Sequence, residues 1–511
     1  MWRAARCVWR AGGGRQLSTS AVAGQRQAAQ VAVVGGGAAG FYTAARILAR
    51  NRTARVDIFE RLPTPHGLVR FGVAPDHPEV KNCMSKFDQV AADPRVRYFG
   101  NVAVGAEGGD GSGLAAQLPL DAARAAYGAV VLAHGASRDR HLGIPGEGGA
   151  GGHAGVLSAR QFVAWYNGLP EAQSLAPDLL SHDRVVVVGH GNVALDCARI
   201  LLTPPDELAA TDITAQALAA LRASRIRHVE MVGRRGPLQV AFTTKELREM
   251  TRIKDLRIVC DRALLEAECQ SPAGAEYLAA SRPLTRMMDL LLKHCESPSA
   301  AAAGAAEKTF TLSFLRSPIE VLYDQPWGDA GTVPQLVRFR ANRLEGPPAA
   351  ARAVATDATS ASPCAMVLRS IGYASVPLAG APFDAARSIV PNAAGRVVDA
   401  AGQIVPGLYV AGWAKRGPVG VIATTMQDAY RTADAVLMDI DNGHIAASDE
   451  TSQEAVDRML AAEGVAAAHV TNDAWKRLEA FEAAAGAAAG KPREKVTDVA
   501  TMLSIIRGEA K

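Results

Sequence analysis

The residues of this 511-residue chain that are spaced for chemistry are two glycine turns, the acid or arginines that follow each of them, and a late glycine before a helix. Gln30 to Gly40 reads QVAVVGGGAAG, an apolar run Val31–Val34 entering a turn with Gly35, Gly37 and Gly40 at G-x-G-x-x-G spacing, after which Phe41 to Arg50 has helical composition. In such a turn the first glycine allows a tight bend, the second lets backbone approach a pyrophosphate, and the third lets helix pack on strand. Ordinary glycine-rich turns make the same match, so context decides. Here Arg55 to Phe59 reads as a second strand ending in Glu60, whose carboxylate can accept both hydroxyls of an adenosine ribose. The first turn is therefore read as a site for an adenine dinucleotide.

The second turn, Gly189-His190-Gly191-Asn192-Val193-Ala194, follows the strand-like RVVVV from Arg184 and opens a helical stretch through Asp196 to Leu202. Two turns that both follow strands and both open helices are far more specific than one. The next strand, His228 to Val232, ends not in an acid but in Gly233-Arg234-Arg235. An arginine pair offers forked donors and positive charge to a ribose 2′-phosphate, so this unit should prefer NADP(H) to NAD(H). Further on, a strand Gly407–Ala411 ends in Gly412-Trp413, and Lys415-Arg416-Gly417-Pro418-Val419-Gly420-Val421-Ile422 leads into a long helix to about Asp439. Unpaired N–H groups at a helix start near Gly420 would suit an electron-rich ligand such as a reduced flavin ring, although a plain structural helix start reads the same way.

The elements that must position these residues are those of an α/β protein with two or three domains, and a 49% hydrophobic fraction is ample for their cores. The loop from Arg61 to Lys81 is broken by Pro63, Pro65, Pro75 and Pro78 and should be ordered but not one helix. Val96 to Val104 reads as a strand pair, Glu107 to Gly113 as a flexible insertion, and Ala129 to Ala133 as a buried strand closing the first unit. Gly146 to Gly155 reads as a linker or surface loop, and residues 296–308 and Leu344 to Ser362 as low-complexity surface loops. The strand Ala365–Ile371, ending in Gly372, echoes Ala129–Gly135 and is expected to return the chain to the first unit. Helical segments at Glu454–Ala462 and Asp473–Ala485 carry no visible chemistry.

Other classes are disfavoured. The seven cysteines form no C-x-x-C pair, so there is no support for a zinc site, an iron–sulfur cluster or a disulfide framework, and no metal site is expected. No apolar stretch is long enough to cross a bilayer. Residues 1–24 hold Arg3, Arg6, Arg10 and Arg15 and no acid, the composition of a mitochondrial transit peptide, with Arg15-Gln16-Leu17-Ser18 resembling a matrix-processing site. The formal charge of +4 falls close to neutral without that segment, so an acidic partner must be met by a local basic patch, and nucleic acid is not an expected partner.

Val69 to Asn82 (VRFGVAPDHPEVKN), Ala198 to Pro205 (ARILLTPP), Val232 to Met250 (VGRRGPLQVAFTTKELREM) and Lys415 to Met426 (KRGPVGVIATTM) resemble the motifs of adrenodoxin reductase-type ferredoxin–NADP reductases. The resemblance covers nearly all of residues 28–511. It implies a glutathione-reductase-type fold with two Rossmann-like dinucleotide-binding domains, the FAD domain discontinuous: residues 28–140, then an NADP domain at 141–370, then 371–511 with a helical tail. It implies FAD contacts at Gly35, Gly37, Ala39, Gly40, Glu60, Leu68, Val104, Trp413, Gly420, Val421 and Ile422. It implies NADP contacts at His190, Gly191, Asn192, Val193, Arg234, Arg235 and Glu246, with Gly420 near the nicotinamide. His77 and Asp196 match a pair associated with the flavin site and electron transfer, and Arg248, Arg282 and Arg286 match basic positions that meet an acidic ferredoxin. His190 stands where the family commonly has glutamine, but its ring could still donate to a phosphate.

What the resemblance implies is transfer from NADPH to FAD, then single electrons to an acidic [2Fe–2S] ferredoxin serving mitochondrial haem monooxygenases or iron–sulfur assembly. The enzyme would be a monomer in the mitochondrial matrix, with peripheral association at the inner membrane left open. A flavin monooxygenase would use the same cofactors but consume oxygen, and a non-enzymatic redox-sensing or scaffold protein would keep nucleotide sites without turnover. The absence of a cysteine pair after Glu60 disfavours a disulfide reductase.

Overall fold

The computed structural model describes residues 29–105, 115–148, 155–298, 308–326, 332–445 and 451–509. The expected transit segment and the Glu107–Gly113 insertion lie outside these residues, as do most of the 146–155 linker and the 296–308 loop.

Two seven-stranded sheets organise the chain. The first runs, edge to edge, through Asn392–Ala393, Arg396–Val398, Ile404–Val410, Ala129–Leu132, Gln30–Val34, Arg55–Glu60 and Val96–Gly100. Its five strands from Ile404–Val410 to Val96–Gly100 are parallel. Leu408 lies opposite Val130, so a strand from late in the chain completes a sheet begun at residue 30. Because a parallel sheet is covered on both faces, its strands are apolar throughout. Val31 and Val33 pack into one core with Phe41, Ile47 and Phe87, while Ala32 and Val34 pack into another with Phe59, Val130 and Val410. Helix Ala38–Arg50 buries Phe41, Ala44, Ile47 and Leu48 on the first face, where the Phe41 and Phe87 rings stack at 5.1 Å.

The second sheet, all parallel, has the order Cys295–Glu296, Leu256–Cys260, Lys308–Ser313, His228–Val232, Arg184–Val188, Met366–Arg369, Val156–Ser158. Here one sequence expectation is corrected: the strand within Ala365–Ile371 pairs with Arg184–Val188 and Val156–Ser158, so it closes the second sheet and does not return to the first. A strand ending in glycine closes either unit, and its composition does not say which. Leu344 to Ser362 is also corrected. Arg316–Pro326, Thr332–Glu345 and Arg352–Cys364 form an antiparallel sheet, not a loop. Val337 and Phe339 of its middle strand cover Val186 and Val188. The outer strand is largely exposed, so small and polar residues suffice once the ladder satisfies its backbone.

The chain passes between the sheets twice, and the two passages pair with each other. Arg138–Asp139 lies antiparallel to Tyr373–Ala374, Ser375 Oγ donates to the Gly135 carbonyl at 2.7 Å, and His134 Nε2 lies 3.2 Å from the Val376 carbonyl.

Candidate functional site

At the first turn Gly35 has φ +117°, and a Cβ there would sit 2.5 Å from the Ala133 carbonyl oxygen. A Cβ at Gly40 would sit 2.0 Å from the Gly35 carbonyl oxygen. Only glycine fits either position. Gly37 differs, because its Cβ would meet nothing nearer than 4.0 Å, and it caps helix Ala38–Arg50, whose first N–H groups have no partner within the helix. Space, backbone donors and the positive end of a helix thus coincide where a pyrophosphate would lie. Glu60 braces the turn: its two carboxylate oxygens accept from the N–H groups of Gly36 at 2.8 Å and Leu62 at 3.1 Å. Burial raises its pKa, against the pull of those amides and of Arg61.

The remaining positions expected around FAD come from three segments. The Gly36 carbonyl accepts from the His66 N–H at 2.7 Å, folding the loop after Glu60 back over the turn and placing Leu68 at the start of a short helix. A Cβ on Gly412 would lie 2.6 Å from the Ala39 Cβ, so the last parallel strand ends against the first helix and delivers Trp413 beside it. The Trp413 ring is 5.4 Å from that of Tyr373, on the second passage between the units. Gly420 takes φ +86°, followed by Val421 as the N-cap of helix Ile422–Asp441; Arg416 braces this loop through the Val419 carbonyl and Thr425 Oγ1. Val419 and Val421 are 67% and 57% exposed, an apolar rim around a helix start. Val104, by contrast, is buried in the core with Val34 and Phe59.

The second turn repeats the first. Gly189 has φ +128° with its would-be Cβ 2.2 Å from the Ser370 carbonyl oxygen, and Gly191 has nothing within 4 Å. Asn192 and Val193 open the helix Asn192–Leu202, and Asn192 Oδ1 accepts from the Thr243 N–H at 2.8 Å. His190 does not act as the sequence led us to expect. Its Nε2 donates to the Met231 carbonyl at 3.0 Å, its Nδ1 faces Gly233, and burial lowers its pKa to about 4. The neutral ring's one donor is already used within the fold, so a phosphate here would be met by the neighbouring groups of the turn. Arg234 and Arg235 are exposed and form no ion pair among the described residues. Their carbonyls accept from Asn342 Nδ2 and the Leu315 N–H, so the backbone is fixed while both guanidiniums stay available.

His77, Asp196 and Glu246 do come together, around a residue the sequence reading missed. Arg199, 4% exposed, meets Asp76 at 2.5 Å, Asp196 at 2.7 Å, Glu246 at 3.4 Å and Glu249 at 3.6 Å. His77 Nε2 lies 2.5 Å from Glu249 and 3.8 Å from Glu246. Four carboxylates crowd one guanidinium. Burial, then the charge of Asp196, pushes Glu246 up to about 7, and burial raises Asp196 despite Arg199. Burial would raise Asp76 too, but Arg199 outweighs it and holds it low. His77, Glu246 and Glu249 have the spacing of a metal site, but the guanidinium already supplies their cation. The available signal was an Asp and an Arg three apart inside the buried helix LDCARILL, and an acid next to His77.

Arg282 and Arg286 lie one turn apart on helix Arg282–His294. Arg248 is on helix Thr244–Met250, which touches that helix through Thr244 and Pro283. All three are exposed and free of ion pairs among the described residues.

Two nucleotide turns, each at the end of a parallel strand of its own seven-stranded sheet, define a pyridine-nucleotide oxidoreductase with a second dinucleotide site. Residues 29–252 match the pyridine nucleotide-disulphide oxidoreductase family model. The chain is 46% identical to mitochondrial NADPH:adrenodoxin oxidoreductase of Bos taurus, over 94% of this chain and 93% of that one. It is 38% identical to NADPH-ferredoxin reductase FprA of Mycobacterium tuberculosis, over 93% and 98%. The solved structure of Mycobacterium tuberculosis FprA in complex with NADPH superposes with a TM-score of 0.81, covering 94% of this chain and all of that one. The chain belongs to the NADPH:adrenodoxin oxidoreductase family, flavoprotein oxidoreductases with FAD and NADP(H) as cofactors.

Proposed function

We propose that this enzyme passes electrons from NADPH to an acidic [2Fe–2S] ferredoxin of the adrenodoxin type, in the mitochondrial matrix, in support of haem monooxygenases and iron–sulfur assembly. FAD, when bound, accepts two electrons together and releases them one at a time, which is what couples a nicotinamide to a one-electron carrier. This chain's part is to bind, align and dock. Gly35, Gly37, Ala39 and Gly40 seat the FAD pyrophosphate, Glu60 its ribose, and Leu68, Trp413 and Gly420-Val421-Ile422 surround the ring. Gly191, Asn192 and Val193 seat the NADP pyrophosphate, and Arg234 and Arg235 hold its 2′-phosphate. Asp196 and Glu246, gathered by Arg199, and His77 beside Glu246 and Glu249 form a cluster of charged groups between the two units.

The observation that carries the acceptor is the set of three exposed arginines, Arg248, Arg282 and Arg286, without ion pairs among the described residues, on adjoining helices, which suits an acidic protein. Domain limits of 28–140 and 371–511 for FAD and 141–370 for NADP fit the two sheets. A monomer is the form proposed; no helix among the described residues is long and apolar enough to cross a membrane, and any inner-membrane association is proposed as peripheral. The test is cytochrome c reduction by NADPH. It is expected to be rapid only when ferredoxin is added and to weaken with salt, whereas an equal rate without ferredoxin overturns the reading. Arg282→Glu with Arg286→Glu should raise the ferredoxin concentration required and leave NADPH binding unchanged.

A further inference from the structure

The C-terminal segment, in which the sequence shows no chemistry, holds a dense set of buried charges. Helices Asn472–Ala488 and Val499–Arg507 share a small core of their own around Trp475, Leu478 and Met502. Just before them Val470 exchanges two backbone hydrogen bonds of 2.8 Å with Gly100, at the edge of the first sheet. The stretch between the helices, residues 491–497, then reaches the second unit. Lys491 Nζ donates to the Ile213 carbonyl at 2.6 Å, and Glu494 Oε1 accepts from the Ala215 N–H at 3.0 Å.

At its centre one carboxylate is shared by two lysines. Asp212 Oδ1 accepts from Lys81 Nζ at 2.6 Å, and Asp212 Oδ2 lies 3.1 Å from Lys495 Nζ. Lys81 comes from the loop of the first unit, Asp212 from the second unit and Lys495 from the tail; the side chains of Lys81 and Lys495 are 6% and 0% exposed. Alongside, Arg70 and Glu482 form an ion pair of 2.6 Å with side chains 1% and 0% exposed, and Glu482 also accepts from the Val496 N–H at 3.0 Å. Arg493 approaches the same Glu482 at 3.9 Å, and burial pushes Lys495 down to about 7. Burying charge on this scale for a weak net gain is a poor way to add stability, whereas its geometry fixes three segments relative to one another.

We propose that Lys495 and Lys81, through their shared Asp212, are positioning residues for electron transfer from NADPH, holding the second nucleotide unit at the separation and angle from the first at which nicotinamide meets flavin. The inference rests on the cofactor assignment above. Other inter-unit contacts are of two kinds: surface pairs such as Arg61 with Glu171 and Lys245 with Glu79, which tolerate relative motion, and the buried Arg199–Asp76 pair, which joins the two units without the tail. The Asp212 clamp is buried and joins both units to a third element.

The test is Lys495→Met in the full-length holoenzyme, which keeps the apolar stem, removes the amino group and leaves Asp212 paired to Lys81. FAD content, flavin reduction by dithionite and the Michaelis constant for NADPH should stay at wild-type values. Flavin bleaching by NADPH in stopped flow should slow roughly tenfold to a hundredfold, as expected for a sub-ångström to ångström misplacement remote from the chemistry. Hydrogen exchange at the Ala215 amide should quicken in the same variant. Normal bleaching with normal FAD content overturns the proposal, and so does a loss of FAD in step with the rate, the mark of a merely structural role. Should Lys495→Met fail to fold, Lys81→Met is judged by the same readouts. If NADPH does not bleach even the wild-type flavin, the cofactor reading fails, and amide exchange at Ala215 alone decides the clamp.

Discussion

The two glycine turns have the same backbone and opposite side chains. In each, the first glycine has a positive φ and presses on a neighbouring carbonyl, Ala133 for Gly35 and Ser370 for Gly189, while the third residue opens on empty space. The register makes the next comparison direct, since Val34 pairs with Phe59 and Val188 with Val232, so that Glu60 and Gly233 are equivalent. Gly36 faces Glu60 in the first unit, and His190 faces Gly233 in the second. A small–large pair has become a large–small pair. The space under the turn is filled either way, but only the first arrangement leaves a carboxylate where an adenosine ribose would lie. The second places an imidazole inside and sends its charge outward as Arg234 and Arg235. Under the proposed assignment of one dinucleotide to each turn, selectivity is expected to be coupled to how the turn is packed.

The largest effects should come from the shared part. Gly35→Ala places a Cβ inside the Ala133 carbonyl at a positive φ, and the purified protein should lack the visible absorbance of flavin. Gly189→Ala should keep that absorbance and raise the Michaelis constant for NADPH by roughly a hundredfold, the product of backbone strain and overpacking. Loss of flavin from Gly189→Ala would break the assignment of one cofactor to each turn. Next in size is the outward charge. Arg234→Ala with Arg235→Ala should raise the Michaelis constant for NADPH by roughly tenfold per arginine and leave that for NADH nearly unchanged, since each supplies a charge-assisted hydrogen bond. Equal effects on both nucleotides would remove the 2′-phosphate from the account.

The comparison sharpens if the packing pair is exchanged. Gly233→Glu alone drives a side chain into the His190 ring, which already lies 2.3 Å from a Cβ built there, and should damage nucleotide binding generally. Combined with His190→Gly it recreates the first unit's arrangement. Relative activity with NADH over NADPH should then rise by roughly tenfold, one carboxylate hydrogen-bonding to a free ribose hydroxyl. A double variant no better with NADH than Gly233→Glu alone would show that filling the turn and choosing the nucleotide are independent.

The parts legible in the sequence were those fixed by local backbone demands. Glycines at 35, 40 and 189 are required by φ or by a carbonyl within a Cβ radius, and the apolar strands are required by burial on both faces, so each leaves a pattern within a few residues. Contacts between distant charges leave none. Arg199 meets Asp76 across 123 positions and Arg70 meets Glu482 across 412, and while a charged residue inside a buried helix shows that Arg199 needs partners, nothing local says that Asp76 is one. The same holds for Arg352–Cys364, whose small residues make a strand only because Thr332–Glu345 lies beside it. The inward turn of His190 was hidden for a related reason. The space it fills is created by Gly233, a residue read from sequence only as the prelude to two arginines.

The smallest predicted effect follows from the sign of charge each turn buries. Burial raises the pKa of Glu60 above its ordinary 4.5, so the folded protein binds its proton more tightly than the unfolded chain, and that contribution to stability is lost as pH rises past 4.5. His190 has the opposite sign. Its pKa falls from an ordinary 6.5 to about 4, so the unfolded chain takes up a proton that the folded turn refuses; stability from the neutral ring is present above pH 6.5 and is lost as pH falls toward 4. His190→Gln keeps a donor for the Met231 carbonyl without a titrating group. Between pH 6.5 and 4 its melting temperature should fall less steeply than that of the wild type, by roughly a few degrees over the window, and the two curves should run parallel above pH 7. Parallel curves throughout would mean that the ring titrates at the same pH folded and unfolded, and with it the argument that His190 is held inward as a neutral donor to the Met231 carbonyl would fall.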